Sequence, residues 1–161
     1  MRNHIFELKL VSEEGAPQHQ YSQEHKGRHQ KDLGQPFREK LLPSYATASG
    51  KMMLALRPET AVRKIYEFLP FHSYTGRTVR DIAALEKVLR QTREQGYAVN
   101  DREFNKDVTC IAVPIRTSRR VGDLALSMSF AADRINPASM ERLLDRLRNA
   151  SAETEIGRAH V

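Results

Sequence analysis

The sequence predicts an α+β domain in which helices pack against an antiparallel β-sheet. Three strand-like runs follow one another at 97–104, 108–115 and 122–131, and their short connections favour antiparallel hairpins. Apolar residues spaced three and four apart predict helices before and after these runs. The chain has 161 residues and a mass of 18.4 kDa. This length suits one domain with a single core.

Two helices are predicted before the strands. Thr47 can cap a short helix that opens with the small residues 48–50 and runs through Leu56. Pro58 suits the first turn of a second helix, because proline is tolerated where no backbone N–H is needed. The apolar residues of this second helix fall on one face at helical spacing. They are Val62, Ile65, Tyr66 and Leu69.

Two further helices flank the strands. Thr78 and Asp81 have the spacing of a capping box and predict the start of a third helix, which Gly96 ends. Asn136 and Pro137 predict the start of the fourth helix. The predicted inward faces are Ile82, Leu85, Val88 and Leu89 in the third helix and Met140, Leu143, Leu144 and Leu147 in the fourth.

Composition excludes several classes of protein. With 40% apolar and 29% charged residues, the chain is typical of globular proteins rather than fibrous or broadly disordered ones. No run reaches the roughly 18 uncharged apolar residues of a bilayer span, and the N-terminus lacks an apolar signal core. We therefore expect a cytoplasmic protein with no membrane contact. The single cysteine, Cys110, excludes an internal disulfide and the paired cysteines of most structural zinc sites, and no metal or cofactor is predicted.

The basic charge of the chain raises the question of nucleic-acid binding. The net charge is +6 and the pI is about 9.7, and clustered Lys and Arg residues bind phosphate by releasing its counterions. Basic residues nevertheless alternate with acidic ones along most of the chain. The one dense run, 116–120, falls in a predicted hairpin loop. We interpret it as a solvated loop rather than a phosphate-binding patch.

Residues 1–40 do not fit the predicted domain, which occupies 41–152. A strand-like run at 5–11 is followed by a polar stretch at 12–35 that has one large aliphatic residue, Leu33. Such a stretch buries too little apolar surface to offset the entropy lost on ordering, so we expect residues 1–40 to be disordered or misread. Three histidines fall in this stretch without the spacing of a metal site. They are His19, His25 and His29.

The C-terminal tail, 153–161, also falls outside the predicted domain. Its last six residues, Ile156 to Val161, resemble the conceptual translation of a sequencing adapter. We therefore exclude them from the fold prediction and expect the chain to be a fragment.

Hairpin geometry predicts a polar patch on the sheet. Paired residues in an antiparallel hairpin have a constant index sum, and side chains at i and i+2 share a face. Centring each hairpin on its loop pairs Asn100 with Cys110 and sets Cys110 opposite Ser127 or Ser129. A register slip of one residue would replace Asn100 by Asp101. The large apolar residues of the last strand then point to the other face: Leu124, Leu126, Met128 and Phe130.

The predicted helix start at 47–50 suggests what the patch can bind. Backbone N–H groups in the first turn of a helix have no partner within the helix, and the positive end of the helix dipole attracts anions. If the carboxylate of a ligand binds at this position, the other polar groups of that ligand can contact the hydroxyls and the amide of the patch. The structural alternative is that Ser127 and Ser129 fit beneath a packed helix and bond to backbone atoms.

Four segments of the sequence resemble the C-terminal effector-binding domain of IclR-type bacterial transcriptional regulators. They are LPSYATASGK at 42–51, GYAVNDREF at 96–104, CIAVPI at 110–115 and ALSMS at 125–129. They occur in the family's order and spacing, and the resemblance covers about Leu41 to Ala152. It implies a GAF-like domain in which a central antiparallel sheet holds a small organic acid in a pocket.

The resemblance also implies site residues. In ligand-bound members of the family, backbone amides at the helix start bind the carboxylate, which implies Ala48 and Ser49 here. An acidic residue, a cysteine and two strand serines complete the pocket. Cys110, Ser127 and Ser129 match the last three positions.

The sequence departs from the family pattern in two ways. The acidic position falls on Asn100 instead of the usual Asp. Because an amide can donate a hydrogen bond where a carboxylate only accepts one, this exchange predicts an effector that is more anionic or less hydroxylated than usual. Family members also carry a winged helix-turn-helix domain ahead of this one, and no such signature precedes Leu41. We therefore expect a sensor that reaches DNA only through a domain missing from this chain.

Three functions are consistent with these residues. The leading hypothesis is a domain that senses a small carboxylate effector, forms homo-oligomers and controls DNA binding allosterically in the intact regulator, without catalysis. The alternative is an enzyme with Cys110 as nucleophile, for which His72 is the one imidazole in the core region. A third option is an interaction domain whose pocket is filled by apolar side chains, with Asn100 and Met128 as the positions that decide it.

Overall fold

The structure is a computed structural model that describes residues 18–21, 40–116, 121–134 and 136–153. These residues form five strands and four α-helices, together with short 3-10 turns before α1 and α4. The predicted α+β class with an antiparallel sheet is confirmed. In chain order the elements are β1 (Gln18–Tyr21), β2 (Lys40–Pro43), α1 (Ala48–Ala55), α2 (Glu59–Tyr66), α3 (Ile82–Gln95), β3 (Ala98–Asp101), β4 (Val108–Arg116), β5 (Val121–Ala131) and α4 (Pro137–Glu153).

The central sheet has the strand order β3-β4-β5, and both pairs are antiparallel. Cys110 pairs with Asn100 on one side, as predicted, and with Ser129, one of the two predicted partners, on the other. A register shift between Ile115 and Arg116 accommodates the turn into β5. The constant index sum therefore holds along most of β4.

The two faces of the central sheet differ in side-chain size. One face carries the small residues Ala98, Ala112 and Ala125 and packs against α1. The other face carries large apolar side chains and packs against α4, whose Ser151 hydroxyl donates a 2.7 Å hydrogen bond to the Pro114 carbonyl. The predicted apolar face of β5 is confirmed, since its residues belong to the α4 side. They are Leu124, Leu126, Met128 and Phe130.

Helix α1 lies between the central sheet and α3, and all eight of its residues are buried. Thr47 caps it as predicted, since the Thr47 hydroxyl accepts a 3.3 Å hydrogen bond from the Gly50 backbone N–H. Gly50 has to be glycine because a Cβ there would overlap the backbone of Ser44. The helix is therefore enclosed by the central sheet, α3 and the turn that contains Ser44.

The starts of α2 and α3 differ from the prediction. Asp81 alone caps α3, with its carboxylate accepting a 2.7 Å hydrogen bond from the Ala84 N–H. Thr78 is buried in the preceding loop, where its hydroxyl donates to the Glu103 carbonyl at 2.6 Å. Pro58 stands just before α2 rather than in its first turn, and Leu69 lies beyond the end of that helix. Gly96 ends α3 as predicted, with a φ of 76°.

Strands β1 and β2 form a separate two-stranded antiparallel sheet, in which Gln18 pairs with Pro43 and Tyr21 with Lys40. Gln18–Tyr21, which includes His19, is a strand in the structure, and the expectation that residues 1–40 are disordered or misread otherwise stays a prediction. Several other predictions concern residues outside the described ranges. They are the predictions for the strand-like run at 5–11, His25, His29, most of the basic run at 116–120, and the last six residues.

Candidate functional site

Three predicted site residues form a row across the central sheet. Asn100, Cys110 and Ser129 are direct cross-strand neighbours and so share the face that packs against α1. The Cys110 thiol and the Ser129 hydroxyl are hydrogen-bonded at 3.1 Å. Ser127 lies two residues from Ser129 on the same face, pairs with Ala112 and is buried. The structure thus brings the four polar strand residues together, and we call these four residues the polar row.

The side chain of Asn100 connects this row to the start of α1. Its Nδ2 donates a 2.7 Å hydrogen bond to the Ala46 carbonyl, and its Oδ1 accepts a 2.8 Å bond from the Glu103 N–H. The second bond closes a tight turn in which Arg102 has a φ of 61°, a left-handed conformation uncommon outside glycine. Asn100 therefore holds in place both the turn that leads into α1 and the backbone of Glu103.

Ala48 and Ser49 occupy the first turn of α1, and both are buried. The helix contacts all three strands of the central sheet, so its positive end lies on the same side of the sheet as the polar row. Ala48 and Ser49 therefore lie on the same side of the sheet as the polar strand residues, and their joint role in one binding site stays a prediction.

The sequence analysis missed a buried ion pair between Lys51 and Glu103. The ammonium of Lys51, in α1, contacts Oε1 of Glu103, and the two side chains are 2% and 12% exposed. The Glu103 backbone is fixed as well, because its carbonyl accepts hydrogen bonds from Thr75 and Thr78. The available signal was that Lys51 is the one charged residue in an otherwise apolar and small-residue helix.

Burial governs the protonation of this site. Burial raises the pKa of the Cys110 thiol, against smaller lowering effects of the Ser129 hydrogen bond and the Lys51 charge. Burial also lowers the pKa of Lys51, and the nearby Glu103 carboxylate opposes this shift. The thiol is thus a neutral, weakly polar group at neutral pH rather than an activated nucleophile.

The enzyme hypothesis offered His72 as the imidazole partner of Cys110. His72 is exposed in the loop after α2, where its backbone N–H donates to the Tyr45 hydroxyl at 2.8 Å. Within the described ranges, no group of three or more His, Cys, Asp or Glu residues could hold a metal ion. The polar groups that the described residues bring to this face are an amide, a thiol and two hydroxyls beside a helix start.

Comparison with known proteins identifies the family. The family model for the bacterial transcriptional regulator IclR C-terminal domain matches residues 38–155, most of the chain. The chain belongs to the IclR C-terminal family. The structural neighbours of this IclR domain include the C-terminal domain of Escherichia coli KdgR. That structure matches with a TM-score of 0.76 and 27% identity, over 92% of this chain and 84% of that one. The predicted GAF-like fold is thereby confirmed.

Curated relatives of the IclR domain are named transcriptional regulators. The chain is 34% identical over 109 residues to E. coli XynR, named an HTH-type transcriptional regulator. It is 36% identical over 109 residues to E. coli KdgR, which has the same printed description. These alignments cover 68% of this chain but only 43% and 41% of the two relatives, so the chain spans less than half of their length. The names agree with the prediction that the domain is not an enzyme.

Among the helices that the described residues form, none has the length and apolar character needed to cross a bilayer.

Proposed function

We propose that this chain is the effector-sensing domain of an IclR-family transcriptional regulator that acts in the cytoplasm and binds a small carboxylate. The carboxylate would bind at the first turn of α1, at Ala48 and Ser49. The rest of the effector would contact Asn100, Cys110, Ser127 and Ser129. The observation that carries the proposal is that this polar row lies on the sheet face that packs against α1.

The buried position of the site favours binding of a polar ligand. Buried polar groups are stable only when they are hydrogen-bonded, so hydroxyls, a thiol and an amide on one face of the sheet suit a ligand with several polar atoms. The positive end of the α1 dipole adds a preference for an anion. The neutral thiol of Cys110 provides a weak donor without reacting.

The link between Asn100 and Ala46 offers a route from ligand to domain packing. A ligand at the start of α1 would act on a helix that contacts β3, β4, β5 and α3. We propose that occupancy biases the packing of effector domains in a homo-oligomer. This bias would then alter the spacing of the winged helix-turn-helix domains of the intact regulator on DNA.

Titration of the purified chain with a panel of acids tests the proposal. Glyoxylate, pyruvate and several aromatic acids would be added in calorimetry and thermal-shift experiments. At least one acid should raise the melting temperature with increasing concentration, because a ligand that binds only the folded state stabilises it. Ser129→Ala should weaken binding of that acid roughly tenfold. Ser139→Ala, at the start of α4 on the other side of the sheet, should leave its affinity unchanged.

A folded sample that no acid stabilises would argue against effector sensing. Equal weakening by Ser129→Ala and Ser139→Ala would place the ligand elsewhere than the polar row.

A further inference from the structure

The buried pair of Lys51 and Glu103 has hydrogen-bonding capacity that the described protein atoms do not fill. The Lys51 ammonium has three N–H donors, and its hydrogen-bond partner among the described residues is Oε1 of Glu103. Oε2 of Glu103 is buried and has no hydrogen-bond partner among those residues. Unpaired buried polar atoms cost free energy, more so when they are charged. The pair is therefore prepared to bind one more polar group.

The pair stands beside the polar row of the central sheet. Lys51 is three residues after Ala48, so the two side chains lie on neighbouring positions of α1. Glu103 is bonded through its N–H to the Asn100 side chain, and Asn100 is the cross-strand neighbour of Cys110. Both charges also act on the pKa of Cys110, in opposite directions. An effector that contacts Cys110 is thus within the field of both charged groups.

The chemistry of the pair selects among polar groups. The ammonium can only donate hydrogen bonds, and the ionised carboxylate can only accept them. A hydroxyl satisfies both, because its oxygen accepts from Lys51 while its hydrogen is donated to Oε2 of Glu103. A keto oxygen accepts from Lys51 but turns lone pairs toward Glu103, and a methylene group leaves both partners unsatisfied.

We propose that Lys51 and Glu103 are specificity-determining residues that select a hydroxy acid over the keto acid of the same carbon skeleton. This inference rests on the proposed function and names the class of effector for that site. It differs from the prediction of a less hydroxylated effector, which considered Asn100 alone. The amide of Asn100 is bonded to Ala46 and Glu103, whereas the buried pair keeps unfilled hydrogen-bonding capacity.

The test compares matched acid pairs by calorimetry on the full chain. L-lactate is paired with pyruvate, and mandelate with phenylglyoxylate, which differ only in the oxidation state of one carbon. The hydroxy member of at least one pair should bind roughly tenfold more tightly or better, the value of a hydrogen bond to a charged group. Glu103→Gln should reduce this ratio to below about threefold, since an amide can donate to a keto oxygen as well as accept from a hydroxyl.

Two additional variants separate selectivity from folding. Glu103→Gln leaves the Lys51 charge without its partner, which can prevent folding. The double variant Lys51→Met with Glu103→Gln removes both charges and should also lose the preference. Glu86→Gln is the matched control, because Glu86 is another buried carboxylate in an ion pair, with Arg63, on the far side of α1. It should keep the wild-type ratio.

The outcomes distinguish this inference from the function on which it rests. If wild-type protein binds acids but shows no hydroxyl preference, or if both pair variants keep the preference, the inference is overturned and effector sensing stands. If no acid of any kind binds folded wild-type protein, both are overturned. A preference that is lost in the pair variants and kept in Glu86→Gln supports the inference.

Discussion

The side-chain amide of Asn100 donates a 2.7 Å hydrogen bond to the backbone carbonyl of Ala46, 54 positions earlier in the chain. This contact joins the end of β3 to the turn that leads into α1. The same side chain accepts a hydrogen bond from the Glu103 N–H, so one residue fixes both the helix and the buried carboxylate. Asn100 is thus a structural bridge as well as a candidate ligand contact.

Replacement of Asn100 should measure the strength of this bridge. Asn100→Ala removes both hydrogen bonds and leaves a buried carbonyl and a buried N–H without partners. It should lower the free energy of unfolding by about 2 kcal/mol, roughly 1 kcal/mol for each bond. Asn105→Ala removes a hydrogen bond to the Asp107 N–H at an exposed turn, and should cost at most about 0.5 kcal/mol. Urea unfolding of the two variants gives both values, and similar values would contradict the bridge.

A substitution at Gly50 should reveal how closely α1 approaches the turn before it. Gly50→Ala would place a methyl group against the backbone of Ser44, which cannot rotate away. Despite the better helix propensity of alanine, the variant should be destabilised by roughly 1–3 kcal/mol. Gly76→Ala is the control, since no atom lies within 4 Å of the added methyl group. Its free energy of unfolding should change by less than about 0.5 kcal/mol, and thermal or urea unfolding compares the two.

The reactivity of Cys110 should be low. Burial raises the pKa of this thiol, so little thiolate forms at neutral pH. Alkylation by iodoacetamide at pH 8 should be at least roughly tenfold slower in the native protein than in the unfolded one, where the thiol is accessible. Because Cys110 is the single cysteine, mass spectrometry follows one reaction. A fast native reaction with an inflection below about pH 7 would revive the enzyme hypothesis.

The stability of the domain should depend on Tyr66 at alkaline pH. Burial raises the pKa of the Tyr66 phenol above its usual value of 10.0. A group with a raised folded pKa contributes stability that is complete below the unfolded pKa and is lost as pH rises above it. The free energy of unfolding of the wild type should therefore fall by about 1 kcal/mol relative to Tyr66→Phe between pH 9 and pH 11. Urea unfolding at both pH values gives this difference, and a constant difference would contradict it.

The sequence was sufficient for the central sheet and for α1. Strand pairing between short hairpins is governed by the turn position, so the sequence predicted the pairing of Cys110 with Asn100 and limited its partner in β5 to Ser127 or Ser129. The start of α1 could also be predicted, because a capping residue such as Thr47 and the small residues after it act on the local backbone alone. The alternating apolar residues of β5 likewise predicted that its large side chains lie on the face opposite the polar residues.

Long-range contacts account for what the sequence did not reveal. Lys51 and Glu103 are 52 positions apart, and their pairing depends on how α1 packs against the turn after β3. Thr78 is a good capping residue, yet its hydroxyl bonds to the Glu103 carbonyl, so Asp81 begins the helix instead. Strand β1 has the polar sequence QHQY, which lacks the alternation of apolar and polar residues that identifies a strand. The sequence therefore did not predict its pairing with β2.

The enclosure of α1 between a sheet and a second helix constrains how such sensors can diversify. An exchange of any α1 side chain disturbs densely packed neighbours, because no residue of the helix is at the surface. The strand alanines that pack against it, Ala98, Ala112 and Ala125, are fully buried too, so enlarging them would overpack the same interface. Libraries intended to give the domain a new inducer should therefore vary the half-buried Cys110 and Ser129 and keep the helix and these alanines constant.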